Sequence, residues 1–333
     1  MDVGRILMTR FRVPAACMKL LKLLSSDRMR VAIIDMGTNT FHLLVAEVSG
    51  KHFHVLHEQR QATRIGMGGI NSGLITEEAM ARALHTLKNF KRIIDELGVT
   101  NAVAFGTSAV RNASNAKELV DRIQRETGIE TKIISGEEEA SLIYEGIKLA
   151  MELGDEPSLV MDIGGGSVEF IIGHQKEIFW KRSFEIGGQR LLEKFKPHDP
   201  IRQEEIDAMH IFFREQLAAL FEALTKWKPV TLIGSSGSFD TFSEIHCLKK
   251  GMTYPSTPET PLTFEGFNII HQELISKDRA QRMQIPGMIE LRVDMIVVAS
   301  CLVKFLITNY SFQKLRVSSF SLKEGILSQL LSH

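Results

Sequence analysis

Val31-Ala32-Ile33-Ile34-Asp35-Met36-Gly37-Thr38-Asn39-Thr40-Phe41-His42-Leu43-Leu44-Val45 is an apolar run, a turn of small and polar residues, and a second apolar run. Leu159-Val160-Met161-Asp162-Ile163-Gly164-Gly165-Gly166-Ser167-Val168-Glu169-Phe170-Ile171-Ile172 repeats the layout, with aspartate and glycine matched and one residue between them. Fused apolar runs with turn residues at their middle read as β-hairpins. One such hairpin opening each half predicts a duplicated α/β fold with two equivalent lobes.

Strands and helices alternate around these hairpins. Residues 77–97 have helical periodicity and stop at Gly98, and 101–106 read as a buried strand. A helix is expected over 115–127, with Asn115 as N-cap and Gly128 as its stop. A strand over 131–135 and a helix over 137–151 follow, and Gly154-Asp155-Glu156-Pro157 marks the lobe boundary. The second half continues with a strand over 178–184, a helical stretch over 203–227 and a strand over 229–234. The turn Ser235-Ser236-Gly237-Ser238 then leads into a helix. Residues 252–261 carry three prolines and read as a loop, 294–309 as a buried apolar helix, and 322–331 as a short terminal helix. The lobes are expected over 30–153 and 154–320. Residues 1–29 read as an upstream extension, with Met29 as the functional start, because the first buried strand begins just after Arg30.

Bulk composition narrows the function. With 333 residues, 44% hydrophobic and 24% charged, the chain is an ordinary globular protein large enough for two domains. Lys+Arg and Asp+Glu both total 40, so there is no long-range attraction toward nucleic acid or a membrane surface. A polyanion site must be a local basic patch. The three cysteines, Cys17, Cys247 and Cys301, form no zinc-knuckle spacing and suit a reducing, cytoplasmic compartment. No apolar run reaches the roughly 18 residues of a membrane span.

A phosphate needs several backbone N–H groups aimed at it, and small residues let the main chain come close. Gly37, Thr38, Asn39 and Thr40 supply these in the first turn, and Gly164, Gly165, Gly166 and Ser167 in the second. A carboxylate stands at the mouth of each, Asp35 and Asp162. It would repel phosphate unless a hard cation lay between them, which points to Mg²⁺, with Mn²⁺ as a substitute. Strand alternation puts Glu169 on the face of Ser167, where it can join that metal or be a solvated strand glutamate. In Ser135-Gly136-Glu137-Glu138-Glu139-Ala140, Glu139 shares a helical stripe with Ile143 and Ile147, an inward face. Glu137 falls on a solvated stripe. An inward carboxylate suits a general base. Arg111 follows a buried strand and can reach a phosphate near the strand end. Ser235, Ser236 and Gly237 offer further amides. Arg292 either pairs with a carboxylate or touches substrate. Lys91-Arg92, Lys181-Arg182 and Lys249-Lys250 line a basic path or are solvated faces.

Together these motifs resemble the exopolyphosphatase/guanosine-pentaphosphate phosphohydrolase family. The carriers are Asp35 to Thr40, Gly106-Thr107-Ser108-Ala109-Val110-Arg111, Ser135 to Ala140, Asp162 to Glu169, and Arg292-Val293-Asp294. The resemblance implies an actin-like, sugar-kinase-like (ribonuclease H-like) fold with the active site between the lobes. It implies hydrolysis of terminal phosphate from polyphosphate or guanosine pentaphosphate, with Glu139 as base, Asp162 and Glu169 at the metal, and Arg111 as the family arginine. It also implies a terminal helix that returns to the first lobe (321–333) and a homodimer. His42 stands where some members carry a basic residue, and the third loop is serine-rich. The expected form is the short one, without the extra C-terminal helical domain of longer members. A phosphotransferase using ATP and a non-enzymatic nucleotide sensor are the rival readings of the same fold.

Overall fold

The computed structural model describes residues 29–50 and 52–331. The expected extension over 1–29 lies outside the described residues, except that Met29 is buried in the first strand. The elements run β1 (Met29–Met36), β2 (Thr40–Ser49), β3 (His52–Ala62), α1 (Glu77–Glu96), β4 (Asn101–Gly106), α2 (Ser108–Arg111), α3 (Ala116–Thr127), β5 (Glu130–Ile133) and α4 (Gly136–Ala150). The second half runs β6 (Ser158–Ile163), β7 (Val168–Gly173), β8 (Ile178–Phe184), α5 (Gly188–Phe195), α6 (Gln203–Gln216), α7 (Ala218–Trp227), β9 (Thr231–Ser235) and α8 (Ser236–Lys249). It ends with β10 (Glu259–Thr260), α9 (Phe264–Ser276), α10 (Arg279–Arg282), α11 (Met295–Asn309), β11 (Lys314–Ser318) and α12 (Leu322–Leu331).

The sheet orders expose the duplication. The first sheet is β3-β2-β1-β4-β5 and the second is β10-β11-β9-β6-β7-β8. Mapping β1, β2, β3, β4 and β5 onto β6, β7, β8, β9 and β11 gives one order twice. In each sheet the first three strands pair antiparallel and the next two pair parallel. The hairpins match in register as well: Asp35 lies opposite His42, and Asp162 opposite Glu169. This is the two-lobed actin-like α/β fold.

Strand parity builds the layers. Ala32, Ile34 and Met36 of β1 pack outward with α1 and α3, while Val31 and Ile33 pack inward. In β6, Leu159 and Met161 pack outward with α6, α7, α8, α9 and α11, while Val160 packs inward. The inward faces of both sheets share one core with α4 and α12. These two helices hold equivalent positions after the last parallel strand of each lobe. They cross closely at glycine. A Cβ on Gly146 would lie 2.0 Å from the Ser321 carbonyl oxygen, and one on Gly325 would lie 1.7 Å from that of Leu142. The terminal helix therefore packs against α4 and β1 of the first lobe.

Several local expectations need correction. The 203–227 stretch is two helices that break at Leu217. The 229–234 strand runs Thr231–Ser235, and Ser236 opens α8 with a left-handed φ of 69° instead of lying in a turn. The 252–261 loop contains β10. Asn115 does precede α3, yet its side chain caps nothing; it bonds the main chain of Ile75 instead.

Candidate active site

Parity also sets the site. Asp35 shares the inward face of Val31 and Ile33, Asp162 that of Val160, and Glu169 that of Ile171. All three carboxylates therefore stand at strand ends facing the middle layer. Glu139 enters that layer from the first turn of α4, whose N-terminus is fixed by Ser135 Oγ accepting from the Glu138 amide at 3.1 Å. Asp35, Glu139, Asp162 and Glu169 line one cavity of about 70 Å³, together with Gly37, Thr38, Ser108 and Gly164 to Ser167.

Gathering four buried acids disfavours their charged forms. Asp35 is pushed up to about 8, chiefly by burial and then by the charge of Glu139. Glu139 is pushed up to about 7 by burial, which outweighs the opposing charge and hydrogen bond of Arg111. Glu169 is raised well above the usual range by burial and by the charges of Glu139 and Asp162. Asp162 is raised by burial, though hydroxyls oppose it.

The four acids are held differently. Asp162 accepts from Ser236 Oγ at 2.8 Å on both oxygens and from Ser321 Oγ at 2.6 Å. Glu169 accepts from Ser183 Oγ at 2.7 Å. Glu139 accepts from Arg111 Nη1 at 2.7 Å. Asp35 Oδ1 is buried and has no hydrogen-bond partner among the described residues. An orphaned carboxylate oxygen within an all-oxygen acidic cluster suits a hard divalent cation. Among the described residues no three His, Cys, Asp or Glu side chains converge as a ligand cage. The donor set therefore offers Mg²⁺ a carboxylate or two, the remaining positions falling to substrate oxygens and water.

A second cavity, about 100 Å³, shares Asp35, Gly37, Thr38, Gly164, Gly165, Ser236 and Ser321 with the first. Its other walls include His42, Arg60, Asp240, Arg292 and Lys323. The cleft thus has an acidic chamber opening into a basic one. Arg292 stands over Gly237, where a Cβ would meet its Nη2 at 1.9 Å, and it forms no ion pair among the described residues. Burial lowers its affinity for its proton, yet as an arginine it stays charged. His42 is held well below its ordinary range by burial and by Lys323, Arg60 and Arg292, so its imidazole is neutral near pH 7.

The two Asp-Gly turns meet across the cleft. A Cβ on Gly165 would lie 2.4 Å from Asn39 Nδ2, and one on Gly166 would lie 2.5 Å from Ser108 Oγ and 2.6 Å from Thr38 Oγ1. These glycines therefore permit the close approach of the two lobes. Arg111 is turned to Glu139, the Ile134 carbonyl and Glu185. In the sequence it looked free to hold phosphate; here it also steers the proposed base.

Sequence reasoning missed Ser321, Lys323, Arg60, Asp240 and Glu185. No local pattern flags them, since each arrives from a distant element. It named Lys91-Arg92, Lys181-Arg182 and Lys249-Lys250 for a basic path, and none of these lines either chamber.

Comparison with known proteins now decides the lineage. A model of the Ppx/GppA phosphatase family matches residues 44–333. The chain belongs to this family. The crystal structure of an exopolyphosphatase from Cytophaga hutchinsonii is 46% identical, with a TM-score of 0.89 over 91% of this chain and 98% of that one. The Ppx/GppA family member from Aquifex aeolicus is 26% identical, with a TM-score of 0.72 over 90% of this chain and 97% of that one. Among curated proteins, exopolyphosphatase 1 of Mycobacterium tuberculosis is 26% identical over 91% of this chain and 88% of its own length. No helix among the described residues is long and apolar enough to cross a membrane.

Proposed function

We propose that the protein is a Mg²⁺-dependent exopolyphosphatase, with Mn²⁺ able to substitute, that removes terminal phosphate by attack of a water activated by Glu139. The carrying observation is the buried Glu139 carboxylate in the acidic chamber, held by Arg111 and raised to about 7, where a general base works best near neutral pH. Asp35, with its unpartnered oxygen, would supply one carboxylate to the cation, and Asp162 or Glu169 a second. When bound, the cation neutralises phosphate charge beside the acids.

The chain's own groups do the rest. The amides of Gly37 to Thr40 and of Gly165 to Ser167 hold phosphate oxygens in line with the water, while that of Gly164 is taken by the Ser167 carbonyl at 3.0 Å. Of the serine-rich loop, Ser236 lines both chambers and Gly237 the basic one, while Ser235 lines neither. Arg111 fixes the carboxylate of Glu139 that receives the water's proton. Arg292, Arg60 and Lys323 take the remainder of the phosphate chain.

Two observations favour polyphosphate over guanosine pentaphosphate. The second chamber is walled by cations and small polar residues, and His42 is its sole aromatic lining residue among the described residues. A guanine would look for a flat stacking partner; a phosphate chain looks for cations. The free, buried thiols Cys247 and Cys301 support a cytoplasmic setting.

Phosphate release from polyphosphate, guanosine pentaphosphate and ATP, each with and without Mg²⁺, tests the reading. Release from polyphosphate only with the metal is expected. Consumption of ATP that depends on an acceptor, or tight binding without turnover of any of the three, contradicts it.

A further inference from the structure

Glu185 lies just past β8 in the second lobe and is half-exposed at the rim of the cleft. Its carboxylate gathers groups from both lobes. Oε1 accepts from Arg111 Nη2 at 3.3 Å, while Oε2 accepts from Ser108 Oγ at 2.6 Å and from Arg190 Nη2 at 2.9 Å. Arg111 and Ser108 belong to the first lobe and Arg190 to the second.

Arg190 extends the link. Its Nη1 donates to the Ile70 carbonyl of the first lobe at 2.9 Å, and its Nε to the Gly166 carbonyl of the second phosphate loop at 3.1 Å. Its own carbonyl accepts from Asn71 Nδ2 at 3.2 Å, and Glu193 of α5 accepts from the Gly68 amide at 3.0 Å. The loop over 64–76 and α5 are thereby tied across the cleft.

Arg111 has three acceptors among the described residues. Ile134 and Glu139 sit in its own lobe and keep their places whatever the second lobe does. Glu185 is the acceptor that the second lobe contributes. We propose that Glu185 is a positioning residue: it orients the Arg111 guanidinium over Glu139 when the lobes close, and Arg190 anchors it for that task. This rests on the hydrolase reading above. Burial pushes the Glu185 carboxyl up, but the Ser108 and Asn112 hydrogen bonds and the two arginines outweigh that and hold it below the usual carboxylate range. It therefore stays an anion, as an acceptor of two guanidinium groups must.

The physical content is that Arg111 alignment depends on closure. A misplacement of about 1 Å at a group that steers the base can cost roughly a hundredfold in turnover. The variants are Glu185→Gln, Glu185→Asp and Glu185→Gln combined with Arg111→Ala, read by kcat and KM for phosphate release from polyphosphate with Mg²⁺. Glu185→Gln should lower kcat by about ten- to a hundredfold with KM changed less, and Glu185→Asp should restore part of it. In the Arg111→Ala background the same substitution should cost nothing further, because its effect runs through Arg111. Unchanged kcat in Glu185→Gln, or an equal loss on top of Arg111→Ala, overturns the proposal.

A crystal structure of Glu185→Gln gives a readout independent of turnover. The Arg111 guanidinium should be rotated relative to Glu139, whereas an unmoved guanidinium overturns the proposal whatever the substrate. Wild type inactive on polyphosphate contradicts the hydrolase reading alone and leaves the structural readout to decide this one.

Discussion

The two hairpins share strand order, register and turn geometry, yet they present different side chains to the cleft. A Cβ on Gly37 would meet the Thr40 carbonyl oxygen at 2.9 Å, and one on Gly164 would meet that of Ser167 at 3.0 Å, so the turns superpose in design. The residue opposite the aspartate differs: a neutral His42 in the first hairpin, a buried Glu169 in the second. The aspartates differ too. Both Asp162 oxygens accept from serine hydroxyls, Ser236 and Ser321, while Asp35 keeps an unpartnered oxygen. Duplication explains the skeleton, and divergence at a few strand-end positions turns a symmetric cleft into one acidic and one basic chamber. The family resemblance implied Asp162 and Glu169 at the metal. The hydrogen bonding shifts the unmet demand for a cation toward Asp35.

The comparison breaks hardest at the turn glycines. Gly166→Val would drive a side chain into Ser108 and Thr38 of the opposite loop, whereas Asn39→Ala, at the matching position of the first hairpin, only removes atoms. Turnover should fall by about a hundredfold or more in the valine variant and far less in the alanine one, as steady-state phosphate release would read. Equal losses would deny that the glycines serve closure. The cross-strand partners come next. Glu169→Gln should cost about a hundredfold in kcat by weakening the hold on the cation that neutralises the reacting phosphate, while His42→Asn should change KM by no more than the roughly 1 kcal/mol of one hydrogen bond.

The smallest effect separates the aspartates, and it has opposite signs. Asp35 is raised from 3.8 to about 8, so between these values the folded state binds more protons than the unfolded one and stability falls as pH rises. Without divalent metal, Asp35→Asn should therefore raise stability by about 1–3 kcal/mol at pH 8, with the gain fading as pH drops toward 4. Asp162→Asn places an amide NH₂ among serine hydroxyls that already donate, so it should gain less or lose. Chemical denaturation across pH checks both. A destabilised Asp35→Asn would mean that its oxygen has a partner after all.

What could be read without the structure follows from distance along the chain. The hairpins were legible because apolar run, small turn and apolar run lie within fifteen or so residues, which is the reach of periodicity arguments. Glu139 was legible because Ile143 and Ile147 lie one and two turns along the same helix. The edge strand β3 was missed because its exposed positions outnumber its half-buried ones and no buried face repeats. Gly146 and Gly325 look like weak points in two helices, yet they are the contact that lets α4 and α12 cross. Lys323, buried against Glu324 and Glu58, reads as a solvated lysine on a short terminal helix. Arg60 and Asp240 reach the same chamber from β3 and α8, a meeting made by the fold alone.

The claim on which the rest depends is that Glu139 is the base, and Glu139→Gln tests it most directly through the pH dependence of phosphate release from polyphosphate with Mg²⁺. In the wild type the rate should rise with pH through about 7 as the Glu139 carboxyl loses its proton. The glutamine variant should keep its fold and its grip on polyphosphate, lose roughly a hundred- to ten-thousandfold in kcat, and lose that acid limb. Turnover near that of the wild type, with the acid limb intact, would contradict the account.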